Sequence, residues 1–325
     1  MNRVERLQRL LSNITFAISF VVFSMTNSIA DSAVDSTVDS TVDSTVDSIY
    51  TVPQPLVMGI QHRNYSFAGI ENSQAEVAMS STLVKFPLGK FDVLGGAFVP
   101  TPSIERTSFR FNDTSTNNQD SYTLKAQLML FRQVNDAWTS IYQVTPSLHT
   151  DLVAIDEDAF SLMGLAMWRY KSTAQSSWIM GVGFNRLFGA YKPIPLLAYQ
   201  YRLAPGMQFD IGFPVTKAEY RWHKDWSAYT SIAPIGGNWR YESDGSSSAP
   251  PSSGGSDDRE RLNLSYKSWV AGFGVRYRLK DQYWATVELG QSFDRKLNLD
   301  AEDHGQHDIA IDDTPVLMLS IGLHP

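Results

Sequence analysis

Trp269-Val270-Ala271-Gly272-Phe273-Gly274-Val275-Arg276-Tyr277-Arg278 is the stretch that decides how the chain is read. Trp269, Ala271, Phe273, Val275 and Tyr277 alternate with Val270, Gly272, Gly274, Arg276 and Arg278. Successive side chains of a β-strand point to opposite faces, so this stretch is a strand. One face is apolar and aromatic; the other mixes glycine with charge.

The same period of two recurs along the chain. Trp178, Met180, Val182 and Phe184 oppose Ile179, Gly181, Gly183 and Asn185. Tyr122, Leu124, Ala126, Leu128 and Leu130 oppose Thr123, Lys125, Gln127 and Met129. Tyr283, Ala285, Val287 and Leu289 oppose Trp284, Thr286, Glu288 and Gly290. Strands of a soluble sandwich average about five to six residues, whereas a tilted strand crossing a bilayer needs about nine or more. Several of these segments hold the alternation for the longer distance. Tyrosine and tryptophan gather near segment ends, as at Trp168 and Tyr170 or Trp222 and Trp226, where amphipathic rings suit the headgroup level.

The connections give a second test. From a first strand near Leu56 they fall at 67–73, 87–90, 101–120, 135–136, 149–158, 172–175, 187–193, 204–206, 214–216, 223–225, 241–260, 280–281 and 298–313. Long and short members alternate except at the short Pro214 corner, as external loops and periplasmic turns do in bacterial barrels. The expectation is an all-β, antiparallel transmembrane β-barrel of about 12–14 strands with both termini periplasmic. Fourteen requires the Pro214 corner to be a turn; twelve follows if it is not.

The N-terminus reads as an address. Arg3, Arg6 and Arg9 precede an apolar run over 14–25 and the small residues of Ser28-Ile29-Ala30, the order of a cleaved secretory signal over residues 1–30. Residues 31–52 repeat aspartate at 31, 35, 39, 43 and 47 and carry too little apolar surface to offset ordering entropy, so a disordered tether is expected. The barrel then occupies residues 53–325, and its last alternating set, Leu317 to Leu323, is followed by His324-Pro325 rather than an aromatic end.

Composition removes other classes. The chain of 325 residues has no cysteine, which excludes a disulfide framework and every thiolate zinc site. A net charge of −7 argues against nucleic-acid binding, and a charged fraction of 19% falls below the roughly 25% of soluble domains.

Gly212-Phe213-Pro214 with Glu219-Tyr220-Arg221, after Ala198-Tyr199-Gln200-Tyr201, resembles an uncharacterised family of bacterial outer-membrane β-barrels, a domain of unknown function. The resemblance implies a Gram-negative outer-membrane barrel. It carries no activity and no functional residue.

Candidate chemistry is sparse. Ser147, His149 and Asp151 would share one strand face, which suits a lipid-hydrolysing site at the outer rim, although a triad is defined by geometry rather than spacing. His304 and His307 with Asp303 or Asp308 have metal-ligand chemistry but sit on a loop without a rigid scaffold, so no metal and no cofactor are expected. The Gly-x-Gly pairs lack the lysine and helix of a phosphate loop and mark tight lumen positions instead. Lys125, Arg276, Arg278 and Glu288 are expected to line the lumen, with Glu288 about one cross-strand or diagonal step from Arg276 or a near neighbour.

The sequence therefore points to a passive pore or structural surface protein in the cell outer membrane. The alternative is a barrel enzyme acting on outer-membrane lipid or lipopolysaccharide, with His149 as base; uptake of hydrophobic compounds is a third reading. Expected partners are outer-membrane lipid, the barrel-assembly machinery and small solutes.

Overall fold

A computed structural model describes residues 58–71, 73–112, 118–185, 191–204, 206–242, 261–280, 283–301 and 305–323. The expected secretory signal, the aspartate repeat, the serine-rich stretch after Glu242 and residues 302–304 of the acidic histidine cluster lie outside the described residues.

The first part of the chain forms β1 (Met58–Gly69), β2 (Glu76–Lys85), β3 (Phe91–Val93), β4 (Gly96–Phe111), β5 (Gln119–Gln133), β6 (Trp138–Thr150), β7 (Phe160–Lys171) and β8 (Ser176–Asn185). The second forms β9 (Lys192–Ala204), β10 (Met207–Phe213), β11 (Thr216–His223), β12 (Trp226–Glu242), β13 (Arg261–Lys280), β14 (Tyr283–Ala301), β15 (Gly305–Ile311) and β16 (Thr314–Leu323). Fourteen of these close an antiparallel barrel; β3 hangs on β4 and β15 on the upper part of β14. The seam joins the two ends of the barrel, β1 to β16, from Met58 opposite Leu323 to Tyr65 opposite Val316. The Pro214 corner is a turn, closed by the Thr216 hydroxyl, which donates to the Gly212 carbonyl at 2.9 Å.

The facing follows the alternation. On β13, Phe273 is 58% exposed while Gly272, Gly274 and Arg276 are buried. The outer face carries an aromatic girdle at the end where the termini lie. Trp138 packs on Tyr170 at 4.8 Å, Trp178 on Tyr199 at 4.8 Å, Trp222 on Trp226 at 6.3 Å and Trp226 on Tyr277 at 4.4 Å.

Two expected loops are largely strand. The 101–120 connection shrinks to 112–118 because β4 runs through Pro100 and Pro102 to Phe111. Proline lacks an N–H, but here both prolines turn their nitrogens away from β5 and toward the segment beyond the end of β2, where their carbonyls still accept from Leu88 at 2.9 Å and Phe86 at 3.1 Å; the ladder with β5 is unbroken. Of residues 298–313, 298–301 are the top of β14 and 305–311 are β15, which pairs with it.

Wall height varies sharply. β13 has 20 residues, β14 has 19 and β12 has 17, whereas β10 has 7 and β11 has 8. Above Ile232, β12 loses its partner β11. The freed upper half of β12 meets β6 instead: Arg240 bridges Thr150 in parallel, and Asp151 N–H donates to the Arg240 carbonyl at 3.2 Å. Through this contact β12, β13, β14, β16, β1, β2, β4, β5 and β6 close a ring of nine strands that leaves out β7–β11.

Candidate functional site

The lumen has two different walls. Along β10–β14 it is charged. Lys217 Nζ lies 2.7 Å and Arg276 Nη1 3.3 Å from the Glu219 carboxylate. Arg276 stacks beside the Tyr229 ring at 5.6 Å, and Arg278 lies over Trp284 at 4.8 Å. Tyr229 donates to Glu288 at 2.7 Å. The glycines make this possible: a Cβ at Gly272 would lie 2.5 Å from the Glu288 carboxylate, and one at Gly274 would collide with the Tyr229 ring. The four side chains read from the sequence as lumen residues, Lys125, Arg276, Arg278 and Glu288, all project from the inner parity of their strands. Arg276 opposes Thr286, one diagonal step from Glu288, but its ion partner is Glu219 and the carboxylate of Glu288 is held by a phenol.

Along β6–β9 the inner wall carries an apolar patch among buried polar side chains that include Gln143, Thr145, Ser177 and Gln200. Ile141, Leu165, Met167, Ile179, Ile194 and Leu196 form one buried cluster there. A period-two reading identifies these as inward positions but does not show that they adjoin.

Above the charged wall the nine-strand ring is filled. Trp239 and Tyr241 from β12 pack with Tyr65, Met79, Phe109 and Tyr266 in a second apolar cluster. Phe109 meets Trp239 edge-on at 5.5 Å, Trp239 Nε1–H donates to Thr123 Oγ1 at 3.2 Å, and Ser121 bonds to the Tyr241 hydroxyl. Barrels of about eight strands are narrow enough for side chains to fill, and this ring is close to that size. Gly237 permits the packing, since a Cβ there would lie 2.6 Å from the Trp239 ring. The outside of the closure is pinned by Arg240, 2% exposed, whose Nε lies 3.1 Å from Asp156 Oδ2 and whose Nη2 lies 3.7 Å from Asp158. Asp156 also caps the short turn at Glu157–Ala159 by accepting from the N–H groups of Asp158 and Ala159.

Beneath the plug lies a cavity of about 60 Å³, lined by Arg63, Glu105, Lys125, His149, Ile235 and Trp239 among others. Lys125 pairs with Glu105 at 3.4 Å. His149 Nε2 contacts Ser147 Oγ at 3.0 Å and Ser161 Oγ at 2.9 Å, and its Nδ1 contacts Thr123 Oγ1 at 3.2 Å. Ser147 and His149 thus come together as the spacing suggested. Asp151 has left the strand, and its Oδ1 accepts from the backbone N–H groups of Val153 and Ala154, both at 2.8 Å. The imidazole is framed by hydroxyls and faces the cavity, not the lipid rim.

Residues 105–305 match a family described as a domain of unknown function, DUF6268. No curated protein matches the chain. Among solved structures, the chain is similar to the COG4313 outer membrane channel from Pseudomonas putida F1 at 8% identity, with 85% of this chain and 98% of that one covered and a TM-score of 0.45. It is also similar to the Pseudomonas putida toluene transporter TodX at 8% identity, covering 81% and 87% with a TM-score of 0.34. The KdgM porin gives 8% identity, 81% and 96% coverage and a TM-score of 0.33.

Proposed function

We propose, for a chain that belongs to the DUF6268 family, a passive channel of the Gram-negative outer membrane whose mouth is normally shut by its own β12–β13 hairpin. The observation that carries this reading is the separation of chemistry across the wall. An apolar outer band with a girdle of rings encloses an inner wall of ion pairs and hydroxyls on a closed barrel. Such a wall suits lipid outside and solute or bracing inside. A secretory signal over residues 1–30 supports the compartment. Outer-membrane lipid and small solutes are its partners, and no catalytic step is assigned.

The Ser147–His149 contact is what favours a lipid-modifying enzyme. The second imidazole nitrogen faces the Thr123 hydroxyl, and the site lies under the plug, away from the acyl chains it would have to reach.

Conductance of the refolded barrel in planar bilayers tests the channel. Brief, rare openings that lengthen when the hairpin is weakened are expected. A barrel that stays silent with the hairpin weakened, or that partitions with soluble periplasmic protein, would overturn the reading.

A further inference from the structure

The closed mouth raises the question of where the wide part of the barrel communicates with the outside. The fourteen-strand lower barrel narrows to the nine-strand ring by leaving β7–β11 behind, and the lowest point of that remainder is the β10–β11 hairpin. With seven residues rising about 3.3 Å each at a tilt near 45°, β10 climbs about 16 Å, against an apolar band of about 25 Å. The hairpin top, Phe213-Pro214-Val215, is itself apolar. Its Phe213 ring sits 6.4 Å from Trp269, the last outward aromatic of β13 before Lys267. The wall therefore ends within the band at this point. Above it, among the described residues, no strand pairs with β9 beyond Leu197 on this side, nor with β12 beyond Ile232 until the Arg240 bridge.

An open strand edge in lipid would leave N–H groups without partners, which the hydrocarbon cannot supply. The sequence removes them just above the hairpin. Pro193 and Pro195 pair with Phe184 and Val182 of β8 in an unbroken ladder. Proline has no N–H to give, so their nitrogens face away from β8, into the gap. N–H groups alternate sides along a strand, so each β9 N–H that would enter the gap between Lys192 and Leu197 is deleted. On β12, which pairs with β13 without interruption, Pro234 removes the gap-side N–H next above Ile232, while Gly236 and Asn238 keep theirs nearer the Arg240 bridge; Pro214 sits at the foot of the gap. Just above the hairpin, where proline stands on both banks, the two edges cannot zip together by a regular ladder.

The lining is apolar on both banks. Ile194 and Leu196 project inward from β9, and Ala233 and Ile235 from β12. Ile194 and Leu196 belong to the apolar cluster that continues down the inner wall through Leu165, Met167 and Ile179, opposite the charged wall. Resting on the channel reading above, we propose that the gap over the β10–β11 hairpin is a lateral passage by which an apolar small molecule moves between the outer leaflet and the barrel interior.

The absence of cysteine makes introduced thiols unique. Leu196→Cys, and separately Ile194→Cys, would be labelled with a small fluorophore in the refolded barrel in lipid vesicles, with Val270→Cys on the inner face of β13 as control. The membrane-partitioning haloalkane 1-bromooctane should quench the β9 labels several times more strongly than the control, and more than aqueous iodide does. A Pro195→Cys, Pro234→Cys pair joined by a flexible bis-maleimide, combined with the labelled site through sequential reaction, should cut haloalkane quenching severalfold and leave channel conductance unchanged. Quenching no greater than at Val270 means the wall is sealed and overturns the passage. Quenching dominated by iodide means a water-filled opening and overturns it as well. Loss of conductance in the unmodified barrel counts against the channel reading alone, because the haloalkane-to-iodide ratio is read independently.

Discussion

The Tyr229 hydroxyl and the Glu288 carboxylate meet at 2.7 Å across Gly274, the residue that stands opposite both of them in the barrel wall. The contact exists because the intervening strand presents no side chain there. It ties β12 to β14 across β13 by a bond additional to the backbone ladders.

Gly274→Ala should therefore destabilise the barrel by about 1–3 kcal/mol through overpacking. Gly164→Ala, where a Cβ would meet no atom within 4 Å, should be close to neutral. The midpoint of the heat-induced gel shift compares the two; equal midpoints would reject the close packing at Gly274.

Tyr229→Phe should cost about 1–3 kcal/mol, because it leaves a buried carboxylate without its donor. Pairing it with Glu288→Gln should recover part of that loss, since a neutral amide is cheaper to bury than a carboxylate. Urea unfolding of the refolded single and double variants measures this, and strictly additive losses would argue against a direct bond.

Phe273 points outward from the barrel at 58% exposure. Phe273→Arg should cost about 2–4 kcal/mol if it sits near the midplane. Leu289→Arg on the adjacent strand, 64% exposed, should behave similarly. A loss of only a few tenths in both would place this face in water.

Charge changes should divide by wall. Lys125 lines the cavity and retains 35% side-chain exposure, so Lys125→Gln should shift ion preference away from anions. Arg276 is 6% exposed and braced by Glu219 and two rings, so Arg276→Gln should lower thermal stability with little change in selectivity. Reversal potentials in a salt gradient, read beside melting curves, separate the two effects.

Trp239→Ala removes the ring that packs on Phe109 and bonds Thr123. Longer and more frequent openings in planar bilayers are expected, with the barrel still heat-modifiable. Unchanged gating would mean that the mouth is held shut by something other than the hairpin.

The barrel was legible because it is written locally. Alternation over residues 269–278 fixes which side chains point inward, and the spacing of turns gives the strand order through the Pro214 corner. The charged wall was half legible: parity placed Arg276 and Glu288 inside, but their partners, Glu219 and Tyr229, depend on which side chains reach across neighbouring strands. The plug was not legible, because a single parallel bridge between Arg240 and Thr150 leaves no periodic mark. Its local trace is the Gly236-Gly237 pair in the middle of the upper half of β12. Asp151 was misjudged for a similar reason. Parity keeps it beside His149, whereas backbone N–H groups at the strand end compete for its carboxylate.

The seam between β1 and β16 also sets a kinetic condition. Gln61 and Met318 touch across it although 257 positions separate them. No circumference exists until the C-terminal strand has emerged and found the first one, so loop-closure entropy is paid late and contact order is high. Until then the growing sheet carries two long naked margins, at Met58–Gly69 and at whichever strand was added last. Such margins template pairing with other chains. A half-made barrel of this kind is thus an aggregation hazard that its own sequence cannot abolish, and its safe passage to the membrane depends on how quickly the two ends are brought together.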